Sequence, residues 1–127
     1  MRLLHHTTIG TDDLEKASAF YKAVLEPLGS KVIGEIPDRA IMFGKEGPEF
    51  FVLRPANGEP ATHANGGTIG FNAETRAAVD AFHAAGMAHG GTDEGAPGPR
   101  DFAHNAYAAY LRDHVGNKIV AVCMAAE

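Results

Sequence analysis

From Leu14 onward the apolar positions Leu14, Ala17, Tyr21, Val24, Leu25 and Leu28 recur at helical spacing, which predicts a helix with one face packed on an apolar surface. Asp12 is placed to cap its N-terminus while Glu15 reaches back in a capping-box arrangement, so the helix is expected to begin near Asp13. Gly29 supplies the stop. The stretch from Leu3 to Gly10 ahead of the helix reads as a strand. After it, "SKVIGEI", "RAIMFG" and "EFFVLR" read as three short strands separated by turn residues.

The same pattern then returns. One constant shift pairs His6 with Thr68, Ile9 with Phe71, Asp12 with Glu74, Phe20 with Phe82 and Gly29 with Gly91, ungapped through a strand, a helix and the terminating glycine. The second unit is predicted to hold a strand at 68–73, a helix at about 75–88, a strand near Thr92, and strands at 106–112 and 118–124. Both halves thus have the order β-α-β-β-β, and such a repeat settles the architecture before single elements do. The chain is expected to form one α+β domain over 1–127, with unit one at 1–55, a Pro- and Gly-rich linker at 56–67 and unit two at 68–127. Unit two is longer than its twin by about seven residues within "EGAPGPRDFAHN", and extra loop length in a small domain usually serves binding. "GAPG" reads as a turn.

Length and a hydrophobic content of 45% suit a single soluble globular domain. The formal charge of −5 is spread along the chain without a Lys/Arg cluster, which argues against nucleic acid as a partner. No apolar run has membrane-spanning length, and "MRLL" is too short for a secretory core. A cytoplasmic protein without a membrane partner is expected. The single cysteine, Cys123, sits in "IVAVCM", where it reads as a small buried hydrophobe. Nucleotide-binding and serine-hydrolase signatures are missing: the chain has neither a P-loop nor G-x-S-x-G, and no G-x-G-x-x-G follows a strand.

The paired unit resembles the vicinal oxygen chelate superfamily, the glyoxalase, bleomycin-resistance and extradiol-dioxygenase group. The likeness runs over nearly the whole chain. It is carried by the D-L-x-x-A-x-x-F-Y start (Asp13, Leu14, Ala17, Phe20, Tyr21), "AAVDAFHAAG", "GTDEGAPGPR", and the Asp113, Gly116, Asn117 turn before the last strand. The resemblance implies two βαβββ units whose curved mixed sheets form a central pocket with the helices outside, and a homodimer. It also implies four equivalent metal-ligand places, on the first and last strand of each unit. Here these hold His6, Phe51, Thr68 and Val120, where metal-dependent members carry His or Glu at three or four of them.

Only His6 of the four is a good ligand. Phenylalanine and valine cannot coordinate, and a neutral threonine hydroxyl is a poor replacement for imidazole or carboxylate. No metal and no other cofactor is therefore expected, and the pocket is read as binding a small organic molecule. Three readings follow: a metal-independent lyase or isomerase with His6 moving a proton, a non-catalytic sequestering or sensing protein, and a metal-dependent lyase or dioxygenase with unconventional ligands. Alternation along the first strand puts His6, Thr8 and Gly10 on one face. Phe51, Thr68 and Val120 are expected to line the pocket with them. Arg100, His104, Tyr107 and Tyr110 flank the longer loop and are candidate ligand contacts, arginine for an anionic group and tyrosine for apolar area with a polar tip. The spacing of the two tyrosines puts them on opposite sides of a strand, so one of them must face the helices.

Overall fold

The computed structural model describes residues 2–127. Unit one comprises β1 (Thr7–Gly10), α1 (Leu14–Leu25) with a 3₁₀ turn (Glu26–Leu28), β2 (Lys31–Ile36), β3 (Ala40–Gly44) and β4 (Phe50–Leu53). Unit two comprises β5 (Thr68–Asn72), α2 (Arg76–Ala88), β6 (Thr92–Pro99), β7 (Tyr107–Arg112) and β8 (Lys118–Cys123). Each unit forms a four-stranded mixed sheet, ordered β1-β4-β3-β2 and β5-β8-β7-β6, in which the first and last strands pair in parallel. The register repeats as well: Thr8 pairs with Phe51 as Gly70 pairs with Val120. Neither sheet closes on itself, so within one chain the expected central pocket is represented by two open sheet faces.

One core serves both units. Ala17, Phe20, Tyr21 and Val24 of α1, Val79 and Phe82 of α2, and Phe43, Val52, Leu111 and Ile119 from the strands are buried together. Ile9 and Phe71 pack against this core, and the Phe71 ring meets Phe50 edge-on at 5.1 Å across the unit boundary. The helices lie against each other and cover one face of each sheet. Gly86 is buried on α2 directly over Leu111. A Cβ at that position would overlap Leu111 Cδ1, so glycine is what allows α2 its close approach to β7.

Several boundaries differ from the expected ones. β1 begins at Thr7 because its ladder with β4 begins at the Thr7–Phe50 pair, and Leu3 and Leu4, without a partner strand, lie exposed. Asp13, not Asp12, caps α1, its carboxylate accepting from the Lys16 amide at 3.0 Å. Asp12 accepts instead from the Ala61 amide at 2.9 Å and fastens the linker to unit one. Gly29 ends the 3₁₀ turn in the left-handed conformation, φ 82°. The segment "GAPG" is part of β6, which pairs with β7 through two register irregularities. β6 is an edge strand, so Pro97 and Pro99 forfeit no ladder hydrogen bond on its free side. The extra length of unit two therefore goes partly into a longer β6 and partly into the hairpin loop at 100–106.

Candidate functional site

The faces of the two sheets that point away from the helices carry the candidate residues. On sheet one, cross-strand register puts Thr8, Gly10, Met42, Phe51 and Leu53 on this face. His6 continues it just before β1, its ring stacked on Phe51 at 4.2 Å and 16°. The His6 Nδ1 lies 2.8 Å from His5 Nδ1. A cleft of about 320 Å³ adjoins the face, lined by Thr8, Gly10 and Leu53 on the sheet, by Pro55 just after it, and by Pro60 and Thr62 of the linker.

On sheet two the corresponding face carries Thr68, Tyr110, Val120 and Lys118. Thr68 pairs with Lys118, and Tyr110 with Val120. Lys118 Nζ stands 5.1 Å from the Tyr110 ring centroid, and the Arg100 guanidinium 5.8 Å from the same ring. Arg100 is braced by backbone carbonyls, donating to Ala96 at 2.8 Å, Gly98 at 2.9 Å and Pro99 at 3.2 Å. Three of its five N–H groups are thus engaged. His104 lies exposed in the β6–β7 loop.

Tyr107 is separated from the other candidates. It pairs with Cys123 on the helix side of the sheet, and its hydroxyl donates to Asp80 of α2 at 2.6 Å. That hydrogen bond to a carboxylate pushes the Tyr107 phenol above its ordinary value. Of the two tyrosines, Tyr110 alone lies on the face away from the helices. His6 and Phe51 meet on sheet one, and Thr68 and Val120 lie on sheet two.

These four residues do not suit a divalent metal. They offer one imidazole, one hydroxyl and two hydrocarbon side chains, short of the three donors such an ion needs. Among the described residues no group of three or more His, Cys, Asp or Glu side chains is placed to hold a metal ion. Lys118 is the member that sequence reasoning missed, although it shares parity with Val120 two residues on.

The two units are joined beside these faces by a buried polar cluster. Asp113 Oδ1 accepts from the amides of Val115, Gly116 and Asn117, each at 3.0 Å. Its Oδ2 accepts from the Tyr21 hydroxyl at 2.7 Å and from Asn117 Nδ2 at 2.9 Å. The same Asn117 amide reaches the Gly10 carbonyl at 3.3 Å, and His114 Nε2 lies 2.9 Å from the Thr11 hydroxyl. Burial first, and then the Asp113 charge, hold the Tyr21 phenol well above its ordinary value.

Residues 3–121 match the family model of the Glyoxalase/Bleomycin resistance protein/Dioxygenase superfamily. Among solved structures, a glyoxalase/bleomycin resistance protein from Albidiferax ferrireducens is 41% identical, with a TM-score of 0.86 over 96% of this chain and 98% of that one. A lactoylglutathione lyase from Agrobacterium tumefaciens (24% identity, TM-score 0.61, 95% and 92% of the two chains) has the same fold. So does a fosfomycin resistance protein from Mesorhizobium loti (16%, 0.69, 97% and 92%). No curated protein matches the chain.

Proposed function

The chain belongs to the glyoxalase/bleomycin resistance protein/dioxygenase superfamily, and from that premise we propose that it binds a small organic molecule on its open sheet faces without a divalent metal. The observation that carries this reading is the stack of His6 on Phe51. At two of the places where the superfamily would put metal ligands stand an aromatic ring and an imidazole laid flat against it, a surface suited to an apolar or aromatic group. Val120 and Tyr110 supply matching apolar area on sheet two. The cleft between sheet one and the linker has the volume of a small ligand pocket.

Binding for sequestration or sensing is the function this arrangement supports best. A metal-independent lyase or isomerase is the second reading. It is favoured by the 2.8 Å contact between His5 and His6, which gives the His6 ring a proton partner. A homodimer belongs to the proposal, because a second copy would cover faces that are open in one chain. A cytoplasmic setting belongs to it too: no helix of the described residues is long and apolar enough to cross a membrane, and Cys123 is a buried free thiol.

The test is a thermal-shift screen of aromatic and aliphatic small molecules, followed by calorimetry on the parent, Phe51→Ala and His6→Ala proteins. Loss of affinity in Phe51→Ala is expected. Turnover of the ligand that vanishes in His6→Ala while binding persists would favour the lyase reading. A stoichiometric divalent metal that is lost in His6→Ala would overturn both.

A further inference from the structure

We propose that the outer face of sheet two recognises an anion, with Lys118 and Arg100 on Tyr110, and that the ligand bound there is an organic carboxylate with an apolar body. The inference rests on the small-molecule reading above and names its substrate class.

This face carries a cross-strand pairing that folding alone would disfavour. Lys118 on β8 stands directly across from Arg112 on β7, and like charges in directly opposed positions of a sheet destabilise it. Arg112 is compensated, its guanidinium meeting Glu94 at 2.9 Å and donating to the Gly116 carbonyl at 2.7 Å. Lys118 and Arg100 are not: among the described residues neither has a carboxylate within salt-bridge reach. In a chain with 16 acidic and 11 basic residues, this face keeps three cations against one carboxylate.

The geometry is preorganised. Three carbonyls of β6 hold Arg100 beside the Tyr110 ring, and Lys118 reaches the same ring, so both charges gather at one aromatic side chain. Thr68, paired with Lys118, adds a hydroxyl donor, and Val120, paired with Tyr110, adds hydrocarbon. An aromatic ring flanked by cations, with a hydroxyl and a valine beside it, suits a ligand whose charged end is small and whose body is apolar. Arg100 has most of its donors committed to the backbone, so Lys118 supplies the free charge and a monoanion fits better than a phosphate dianion.

The experiment is an amide NMR titration of the full chain with sodium benzoate, benzamide, sodium acetate and inorganic phosphate at constant ionic strength. Benzoate is expected to shift the amides of Thr68, Tyr110 and Lys118 saturably, about tenfold more tightly than benzamide, with acetate and phosphate weaker still. Lys118→Met should weaken benzoate by a similar factor and leave benzamide unchanged, and Lys118→Arg should restore most of the loss. Dispersed spectra of the variants establish that they are folded. Equal binding of benzoate and benzamide, or benzoate binding unaffected by Lys118→Met, overturns the anion end while leaving an apolar pocket intact. Tighter phosphate than benzoate overturns the assignment to a carboxylate. Failure of every probe to saturate any amide of either sheet face would remove the small-molecule reading with it.

Discussion

The Tyr21 hydroxyl donates to the Asp113 carboxylate at 2.7 Å and so ties α1 of unit one to the β7–β8 turn of unit two. Both residues are buried. Asp113 also holds its own turn through three backbone amides, so one carboxylate fixes both a local bend and the junction of the units. Tyr21→Phe removes a hydrogen bond to a charged acceptor without changing side-chain volume much, and should cost about 1.5 to 3 kcal/mol. Asp113→Ala should cost more, since it strands three amides and a phenol. Urea unfolding followed by circular dichroism measures both. A Tyr21→Phe protein as stable as the parent would mean that the bond does not hold the units together.

The same pair makes alkaline stability specific. Burial and the Asp113 charge raise the folded pKa of Tyr21 above its unfolded value. Below an unfolded tyrosine pKa of about 10 the contribution is present in full. Above it the unfolded chain releases the proton while the folded chain retains it, so stability falls as pH rises toward the folded value. Melting temperatures from pH 8 to 11.5 should decline at the top of the range in the parent, and less steeply in Tyr21→Phe. Identical slopes would show that other groups govern the decline.

The helix cap falls on Asp13 and not on its neighbour Asp12, where the sequence reading puts it. Asp13 accepts from the Lys16 amide, whereas Asp12 accepts from Ala61 in the linker. Asp13→Ala should destabilise the fold by about 1 kcal/mol, the usual cost of a lost N-cap. Asp12→Ala should cost less and act on the linker, speeding proteolysis between Pro55 and Gly67. The reverse order of stabilities would restore Asp12 as the cap.

What was legible in the sequence follows from periodicity. Strand alternation and the internal repeat together gave His6, Thr8 and Gly10 one face and aligned Phe51 with Val120, and the ladders keep that register in both units. What was not legible depended on distant partners. Asp12 and Asp13 have equal capping chemistry, and only a linker amide separates them. Gly95 to Pro99 carry turn residues, yet pairing with β7 overrides that local preference. The parity of Tyr107 and Tyr110 was plain, but which one faced α2 waited on the register with β8. Arg100 reads in sequence as a candidate contact for an anionic group, and three nearby carbonyls take most of its donors.

Gly86 gives a packing prediction of opposite sign to intrinsic helix preference. Gly→Ala within a helix ordinarily gains about 1 kcal/mol. Here the new Cβ would overlap Leu111 Cδ1 and approach Cδ2 at 3.1 Å, and Leu111 is fully buried. Overpacking of that kind costs about 1 to 3 kcal/mol, so the net change should be a loss. Gly86→Ala combined with Leu111→Ala should lose less than the sum of the two single changes, because the smaller side chain admits the methyl. Strict additivity would mean that the helix simply shifts to make room.

The open face of sheet one bears on assembly. Register puts Ile36, Met42, Phe51 and Leu53 on the side away from the helices, and Ile36 is 53% exposed. Met42, Phe51 and Leu53 are half-buried beside it, and apolar side chains left open on one sheet face suit a contact surface. A second copy placed there would bury hydrocarbon and wall the cleft that one chain leaves open. Sedimentation velocity at micromolar concentration should therefore report a dimer. Phe51→Glu should shift it to monomer with an unchanged far-ultraviolet spectrum, whereas His104→Ala, altered at an exposed loop residue, should leave it dimeric. A parent protein that sediments as a monomer at every concentration tested would remove the second copy from the proposed site, and the ligand would then rest on the sheet faces and linker of one chain.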